Sequence, residues 1–400
     1  MNILQLCNKM PYPPKDGGSI ATLNLAKGFC EHGNNVTVLA MNTSKHYFNI
    51  DNIPVELKSK INFFDVFVKT KINPFLATLN LFFSNKPYNA QRFISKKFRN
   101  KLISLLSNNN YEIIQLEGLY LCTYIDVIRK YSNAKIVYRA HNIEHEIWKR
   151  TTLKQKGLLK KTYLKILTKR IKNYELRIIN KYDALVPITE RDALFFNNNG
   201  NNKPYHVSAA GVNINDLKPN YSNIENNSLF YIGALDWTPN QEGLVWFLEN
   251  VWKIISKKNK NLSLYIAGRN APKWFVSKLN YENIFYLGEI DDAYEYMNSK
   301  AIMIVPLLSG SGMRIKIIEG MALGKTIIST SIGAEGINIT HNKNIIIADN
   351  ELDFIKGIET VINDKVFANK IGENAVSFVN SNYNNLTISS SLINFYKGLF

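Results

Sequence analysis

Cysteine, acidic residues and long apolar runs are all scarce in this chain. Its only cysteines, Cys7, Cys30 and Cys122, lie far apart and show no metal-ligand spacing, which places the chain in a reducing, cytoplasmic setting. A transmembrane helix needs roughly 20 apolar residues. The longest candidate, Pro74 to Phe83, is short and interrupted by Asn80, so no membrane anchor is expected. The start, MNILQLCNKM, lacks the apolar core of a signal peptide and reads as a first strand. No G-x-G-x-x-G loop with a following acid is present, which argues against a Rossmann oxidoreductase. H-E-x-x-H is absent too. What remains, 400 residues with 46% hydrophobic and 20% charged content, is the composition of a folded protein too long for one typical core. Two domains are expected.

The acid shortage, 32 Asp and Glu against 49 Lys and Arg, is concentrated. Between Lys149 and Lys181 twelve basic residues stand against Glu175 alone. Leu158, Leu159, Tyr163, Leu164, Leu167 and Ile171 run through the same stretch, so it reads as one or two basic amphipathic helices. Such a helix suits an anionic lipid surface, or simply a solvated face. Nucleic acid is not an expected partner, because no RNA- or DNA-binding signature or aromatic stacking pattern accompanies the charge.

Strand-like and helix-like segments alternate throughout: Ile3–Cys7, a helix through Leu23 to Cys30, Val36–Met41, Ile113–Leu116, Ile136–Arg139 and Ala184–Ile188. This βαβ rhythm predicts parallel sheets with helices on both faces. Asn-rich stretches near 197–202 and 213–227 mark a junction. Beyond it the rhythm restarts with Leu229–Ile232, a helix from Leu244 to Ile255 and Leu262–Ala267. The expected class is α/β, two doubly wound Rossmann-like domains facing across a cleft. Their bounds are 1–205 and 206–382, with a helix over 383–400 that can return to the first. Functional residues should lie in loops beyond the carboxyl ends of strands.

The densest such loop is in IMIVPLLSGSGMRIKIIEGMALGKTIIST, Ile302 to Thr330. A wholly apolar strand runs to Leu308. Ser309, Gly310, Ser311 and Gly312 break it, and a helix follows with Arg314 in its first turn. Ile315, Ile318 and Ala322 suit a face packed on a sheet, while Lys316 and Glu319 share another. Glycines before a helix N-terminus, with two cations beside them, suit a diphosphate; a carboxylate further along can accept hydrogen bonds from sugar or ribose hydroxyls. An ordinary βαβ unit with a solvated Lys/Glu pair would read the same way. Gly233, Gly268 with Arg269, and Gly288 also follow strands. In the first half, Gly17 and Gly18 form a second glycine loop before a helix. Glu117 follows one strand, and Arg139, His141, Asn142 and Glu144 follow the next. H-N-I-E-H does not have the spacing of a metal-binding helix, and no metal is expected. Site roles fall instead on His141 and Glu117.

With these residues in view, the chain resembles glycosyltransferase family 4, retaining enzymes of the GT-B fold that take sugar from a nucleotide sugar. The resemblance runs from the loop with Gly17 and Gly18 through RAHNIEH, AAGVN, FYIGALDWTPNQEG and YIAGR to PLLSGSGMRIKIIEGMALGK. It is nearest to the bacterial surface-polysaccharide transferases of capsule and lipopolysaccharide. It implies a donor site at Gly17, Gly18, Gly233, Arg269, Gly310, Ser311, Gly312, Arg314, Lys316 and Glu319. It implies catalytic Glu117 or His141, and acceptor-side Arg139, Asn142 and Glu144. Glu319 matches the later of the family's two glutamates, which contacts ribose; the earlier position is Ser311. The family's Arg and Lys early in the second domain are missing around 233–243, which leaves Arg314, Lys316 and Arg269 for the diphosphate. The family's site His corresponds to Glu117, and His141 lies one strand later. No metal or other cofactor is implied. The expected partners are a nucleotide sugar, a saccharide or lipid-linked saccharide acceptor and an anionic membrane surface. The competing readings are another GT-B enzyme, such as a nucleotide-sugar epimerase or sugar phosphorylase, and a sugar-nucleotide-binding subunit without turnover.

Overall fold

The computed structural model describes residues 1–310 and 312–400 and divides the chain into two compact units. The first comprises Met1–Gly211 with Asn385–Phe400, the second Val212–Asn384. Ser311 lies outside the described residues.

Apolar segments without polar alternation become the inner strands of two six-stranded sheets, parallel in every paired strand. In the first unit these are β1 (Asn2–Cys7), β2 (Asn35–Thr43), β3 (Ile61–Val68), β4 (Ile113–Glu117), β5 (Lys135–Ala140) and β6 (Ala184–Pro187). Their order is β3-β2-β1-β4-β5-β6. The second unit has β7 (Glu225–Ile232), β8 (Ser263–Ala267), β9 (Ile284–Gly288), β10 (Lys300–Val305), β11 (Thr326–Ser329) and β12 (Ile346–Ile347). Their order, β12-β11-β10-β7-β8-β9, is the same topology repeated. Each sheet is doubly wound, with a switch point beside its first and fourth strands, where such sheets hold ligands. The second unit's glycine loop leaves the fourth strand, β10. In the first unit Glu117 ends the fourth strand, β4.

Several sequence expectations shift by a few residues. The strand expected to reach Leu308 stops at Val305, because Pro306 lacks the N–H a ladder needs and Leu307 N already bonds Val305 O at 3.0 Å. The edge strand β3 had no sequence signal: it is only partly buried along its middle and lacks a fully apolar run. The basic segment forms two helices, Glu144–Lys154 and Leu158–Ile178. The second buries Leu164, Leu167, Ile171, Tyr174 and Ile178 at helical spacing. Glu175, the one acid there, turns inward and is 1% exposed. Its carboxylate accepts from Glu144 N at 2.9 Å and pairs with His145 Nδ1 at 2.6 Å, so it caps the preceding helix. The last helix, Asn385–Lys397, belongs to the first unit, where Asn385 Nδ2 bonds Asn24 O at 2.6 Å. Among the described residues no helix is long and apolar enough to cross a membrane.

Candidate functional site

In the second unit, the loop after β10 requires glycine: Gly310 has φ +137° and Gly312 +81°, backbone conformations that side chains disfavour. Arg314 is not in the first helical turn, as expected, but is the residue before the helix Ile315–Ala322. Its guanidinium reaches back to Gly312 O and lies 5.4 Å from the Trp237 ring. That fold-back keeps a cation beside the glycine loop.

Lys316 and Glu319 are not a solvated pair. The helix is enclosed by Ile315, Ile317, Ile318 and Met321, more sides than the expected single face. Lys316 Nζ is drawn onto the end of β7, donating to Ile232 O at 3.0 Å and lying 4.0 Å from the Tyr231 ring. Burial and then the Arg314 charge push its pKa down to about 7. A Cβ on Gly233 would stand 3.1 Å from this Nζ, so the ammonium lies directly over the strand-end glycine. Glu319 is buried and accepts from Tyr294 OH at 3.0 Å; burial raises its pKa despite that bond. Arg269 follows β8 and is half-buried, and its carbonyl accepts from Leu235 N at 2.9 Å. Among the described residues its guanidinium has no hydrogen bond or ion pair. Gly268 meets Gly233 so closely that any Cβ would strike the Gly233 carbonyl, which holds the two strand ends together. Gly233, Gly310, Gly312, Arg314, Lys316 and Glu319 therefore surround one switch point.

Trp237, Tyr231 and Tyr294 join the site without having been foreseen. Trp237 stood in plain view in ALDWTPNQEG. Tyr294 lies 25 residues from Glu319 in a separate helix, Ala293–Asn298, and no local spacing could link them.

In the first unit, parallel register sets Glu117 of β4 beside Arg139 of β5. Glu117 Oε2 meets His141 Nε2 at 2.5 Å, Thr22 Oγ1 at 3.1 Å and Arg139 Nη1 at 3.5 Å, while Gln115 Nε2 donates to its other oxygen. Burial pushes the carboxyl up, but Arg139, His141 and Gln115 outweigh it and hold the pKa at about 2. Glu117 and His141 are thus brought together, with different exposure: the Glu117 side chain is 3% exposed, that of His141 18%. Only His141 can present an atom to a ligand. Arg139, expected on the acceptor side, is corrected to an interior role: it is 1% exposed and spends its charge on Glu117 and its Nη1–H on Ala21 O.

Glu144 opens the next helix and accepts from Tyr120 OH at 3.0 Å. Burial and the neighbouring Glu175 push it up to about 7. Asn142 is half-buried and makes no side-chain hydrogen bond among the described residues. His141 and His145 turn to different carboxylates, Glu117 and Glu175, which explains why H-N-I-E-H is not a metal helix. Among the described residues no group of three or more His, Cys, Asp or Glu could hold a metal ion. At the Gly17–Gly18 loop the helix start is occupied by Asp16, which accepts from Ser19 N at 3.0 Å and pairs with Lys9 at 2.5 Å. The anion expected there meets a carboxylate already in place.

Known proteins resemble this chain in sequence and in fold. Residues 226–364, within the second unit, match the family model for glycosyl transferases group 1. A 44.6 kDa protein in the cps region of Klebsiella pneumoniae is 25% identical over 305 residues, 74% of this chain and 77% of its own. Among solved structures, HepE of Anabaena in complex with UDP superposes with a TM-score of 0.69 at 15% identity, over the whole of both chains. Its complex with UDP-glucose gives 0.67 at 14%, again over both whole chains. Sucrose-phosphate synthase of Thermosynechococcus elongatus gives 0.71 at 14% identity, over 100% of this chain and 99% of its own. The fold is GT-B, and the resemblance to glycosyltransferases read in the sequence holds.

Proposed function

We propose that this glycosyltransferase, matched to group 1 over its second unit, moves a hexosyl group with retention from a nucleoside-diphosphate sugar to a hydroxyl of a saccharide acceptor in surface polysaccharide synthesis. The observation that carries the reading is the pair of cations, Arg314 and Lys316, gathered beside Gly310, Gly312 and Gly233 at a strand switch point. As the sugar C1–O bond to the diphosphate breaks, negative charge grows on the leaving phosphate. Arg314, Lys316 and the helix N-terminus meet it there. No metal is needed for that neutralisation. Glu319 accepts hydrogen bonds from the ribose hydroxyls.

The acceptor oxygen bonds to C1 on the face the phosphate leaves, and its proton passes to the departing phosphate oxygen. In the first unit His141, oriented by Glu117, positions and polarises that acceptor hydroxyl. The acceptor is lipid-linked, and the basic segment 149–181 holds the enzyme at an anionic membrane surface. HepE, solved with UDP and with UDP-glucose, makes UDP-sugars the first donors to test. The cps-region relative supports the polysaccharide role.

A thermal-shift screen against nucleotide sugars identifies the donor, because a ligand bound only by the folded state raises stability as ln(1 + [L]/Kd). With that donor, Lys316→Ala and Glu319→Ala should each lose most transfer while keeping their fold. Full activity in both would refute the assignment. Donor conversion without any acceptor would indicate an epimerase instead, and donor binding without transfer across a broad acceptor panel a subunit without turnover.

A further inference from the structure

One helix of the first unit reverses the usual sorting of apolar side chains. In Pro74–Phe83 only Ala77 and Asn80 are buried, whereas Phe75 is 70%, Phe82 76% and Phe83 83% exposed. The helix, PFLATLNLFF, carries no charge. A helix apolar on nearly all sides is stable only where something covers it. It is also firmly placed: Asn73 caps it at Leu76 N, and Ala77 enters the core. At its far end the Arg170 guanidinium donates to Asn80 O at 2.9 Å, to Ser84 O, and to Lys86 O at 3.2 Å.

Arg170 ties this apolar helix to the basic one. It belongs to Leu158–Ile178, whose exposed residues include Lys160, Lys165, Lys169 and Lys172, interspersed with Leu159 (89% exposed) and Ile166 (45%). An apolar element clamped beside a row of lysines is complementary to an anionic bilayer, with headgroups for the ammonium groups and acyl chains for the phenyl rings. A second copy of the chain would instead bring two lysine rows together.

We propose that Pro74–Phe83 is a membrane-insertion helix, lying in the interface of an anionic bilayer with its phenylalanines below the headgroups and the lysines of Leu158–Ile178 on the acidic lipids. This deepens, and rests on, the reading of an acceptor at an anionic membrane. Stable attachment takes two signals. The lysines supply one and the phenylalanines the other.

The full chain is tested on phosphatidylcholine vesicles with and without phosphatidylglycerol. In a Cys30→Ser background, an environment-sensitive fluorophore is placed at Phe82→Cys and, as control, at Val366→Cys, which is exposed in the second unit. The label at 82 should shift to the blue with anionic vesicles, and the label at 366 should not. Replacing Phe75, Phe82 and Phe83 together by Ser should weaken vesicle partition about a hundredfold. Because all three side chains are exposed, the melting temperature should stay where it was. Reversing Lys160, Lys161, Lys165 and Lys169 to Glu should weaken partition on the order of a thousandfold at low salt. If charge reversal abolishes binding while the serine variant binds normally and the label at 82 stays in water, the insertion helix is refuted and the membrane reading survives. If wild-type protein ignores anionic vesicles, both fall. A lipid-free dimer that the serine substitutions convert to monomer would assign this face to self-association and overturn the proposal.

Discussion

The two units share a strand order, but Glu117 at the first switch point and Lys316 and Glu319 at the second are buried in opposite ways. In the first, Glu117 has Arg139, His141, Thr22 and Gln115 around it and is held at about 2. In the second, the ammonium of enclosed Lys316 donates to a carbonyl and lies over an aromatic ring, the contacts found for it among the described residues, and it is pushed down to about 7 by burial and by another cation. Glu319 accepts from a tyrosine hydroxyl and is pushed up by burial despite that bond. A saturated network such as that of Glu117 is built to hold something still. Lys316 and Glu319 have few polar partners among the described residues, and on the function proposed above the donor supplies the rest.

The largest test of this contrast removes the uncompensated cation. Lys316→Met should lower kcat/KM by about 100- to 1,000-fold, the usual cost of one charge-stabilising group. It should also raise the melting temperature slightly in the absence of donor, because it relieves the burial of the ammonium. The pH dependence has a definite sign. Lys316 is deprotonated above about 7 in the free protein, so a diphosphate must restore its proton there, and affinity falls as pH rises through the window from 7. Calorimetry at pH 8 in buffers of different ionisation heat should detect proton uptake in wild type and none in Lys316→Met. Equal uptake in both would mean that Lys316 does not face the donor.

The saturated side responds through stability first. The folded pKa of Glu117 lies below its unfolded value, so its contribution is fully present above about pH 4.5 and is lost as pH falls through about 2. The shift corresponds to about 3 kcal/mol. Glu117→Gln should therefore lose about that much in urea unfolding at pH 7, and its deficit against wild type should shrink steadily from pH 5 to pH 2. If Glu117 only positions His141, Glu117→Gln should lower kcat and leave donor KM unchanged, while His141→Ala costs kcat with little loss of stability. A change in donor KM in either variant would break the division between the two units.

The smallest expected effect is at Glu319. Tyr294→Phe removes the side-chain hydrogen bond found for it among the described residues, worth about 1 kcal/mol, and should raise donor KM about fivefold with kcat unchanged. No change in KM would detach Glu319 from donor binding.

Much of this could be read from the residue order. Continuous apolar runs announced buried parallel strands, and the glycines after β7, β8 and β10 and at the end of β9 announced strand ends where a backbone must turn or approach another. The loop from Gly310 to Glu319 was identifiable because glycine, arginine, lysine and glutamate fall within ten residues there. Arg139 was misjudged for a similarly physical reason: a charged residue at a strand end looks like a ligand contact until the neighbouring strand is known to supply its counter-ion.

Sequence alone settled the local matters: the alternation of strands and helices, that both halves are doubly wound, and that the basic charge is concentrated in 149–181. These follow from periodicity, from the proline that stops β10 and from composition, each acting within a few residues. Tertiary structure decided the charge state and exposure of the site. The 24 residues between Glu117 and His141, the 25 between Tyr294 and Glu319, and the 84 between Ile232 and Lys316 are bridged only when strands pair and helices dock. Burial and counter-charge are properties of that packing, so they separate a charge surrounded by counter-charge, Glu117, from one buried beside another cation, Lys316.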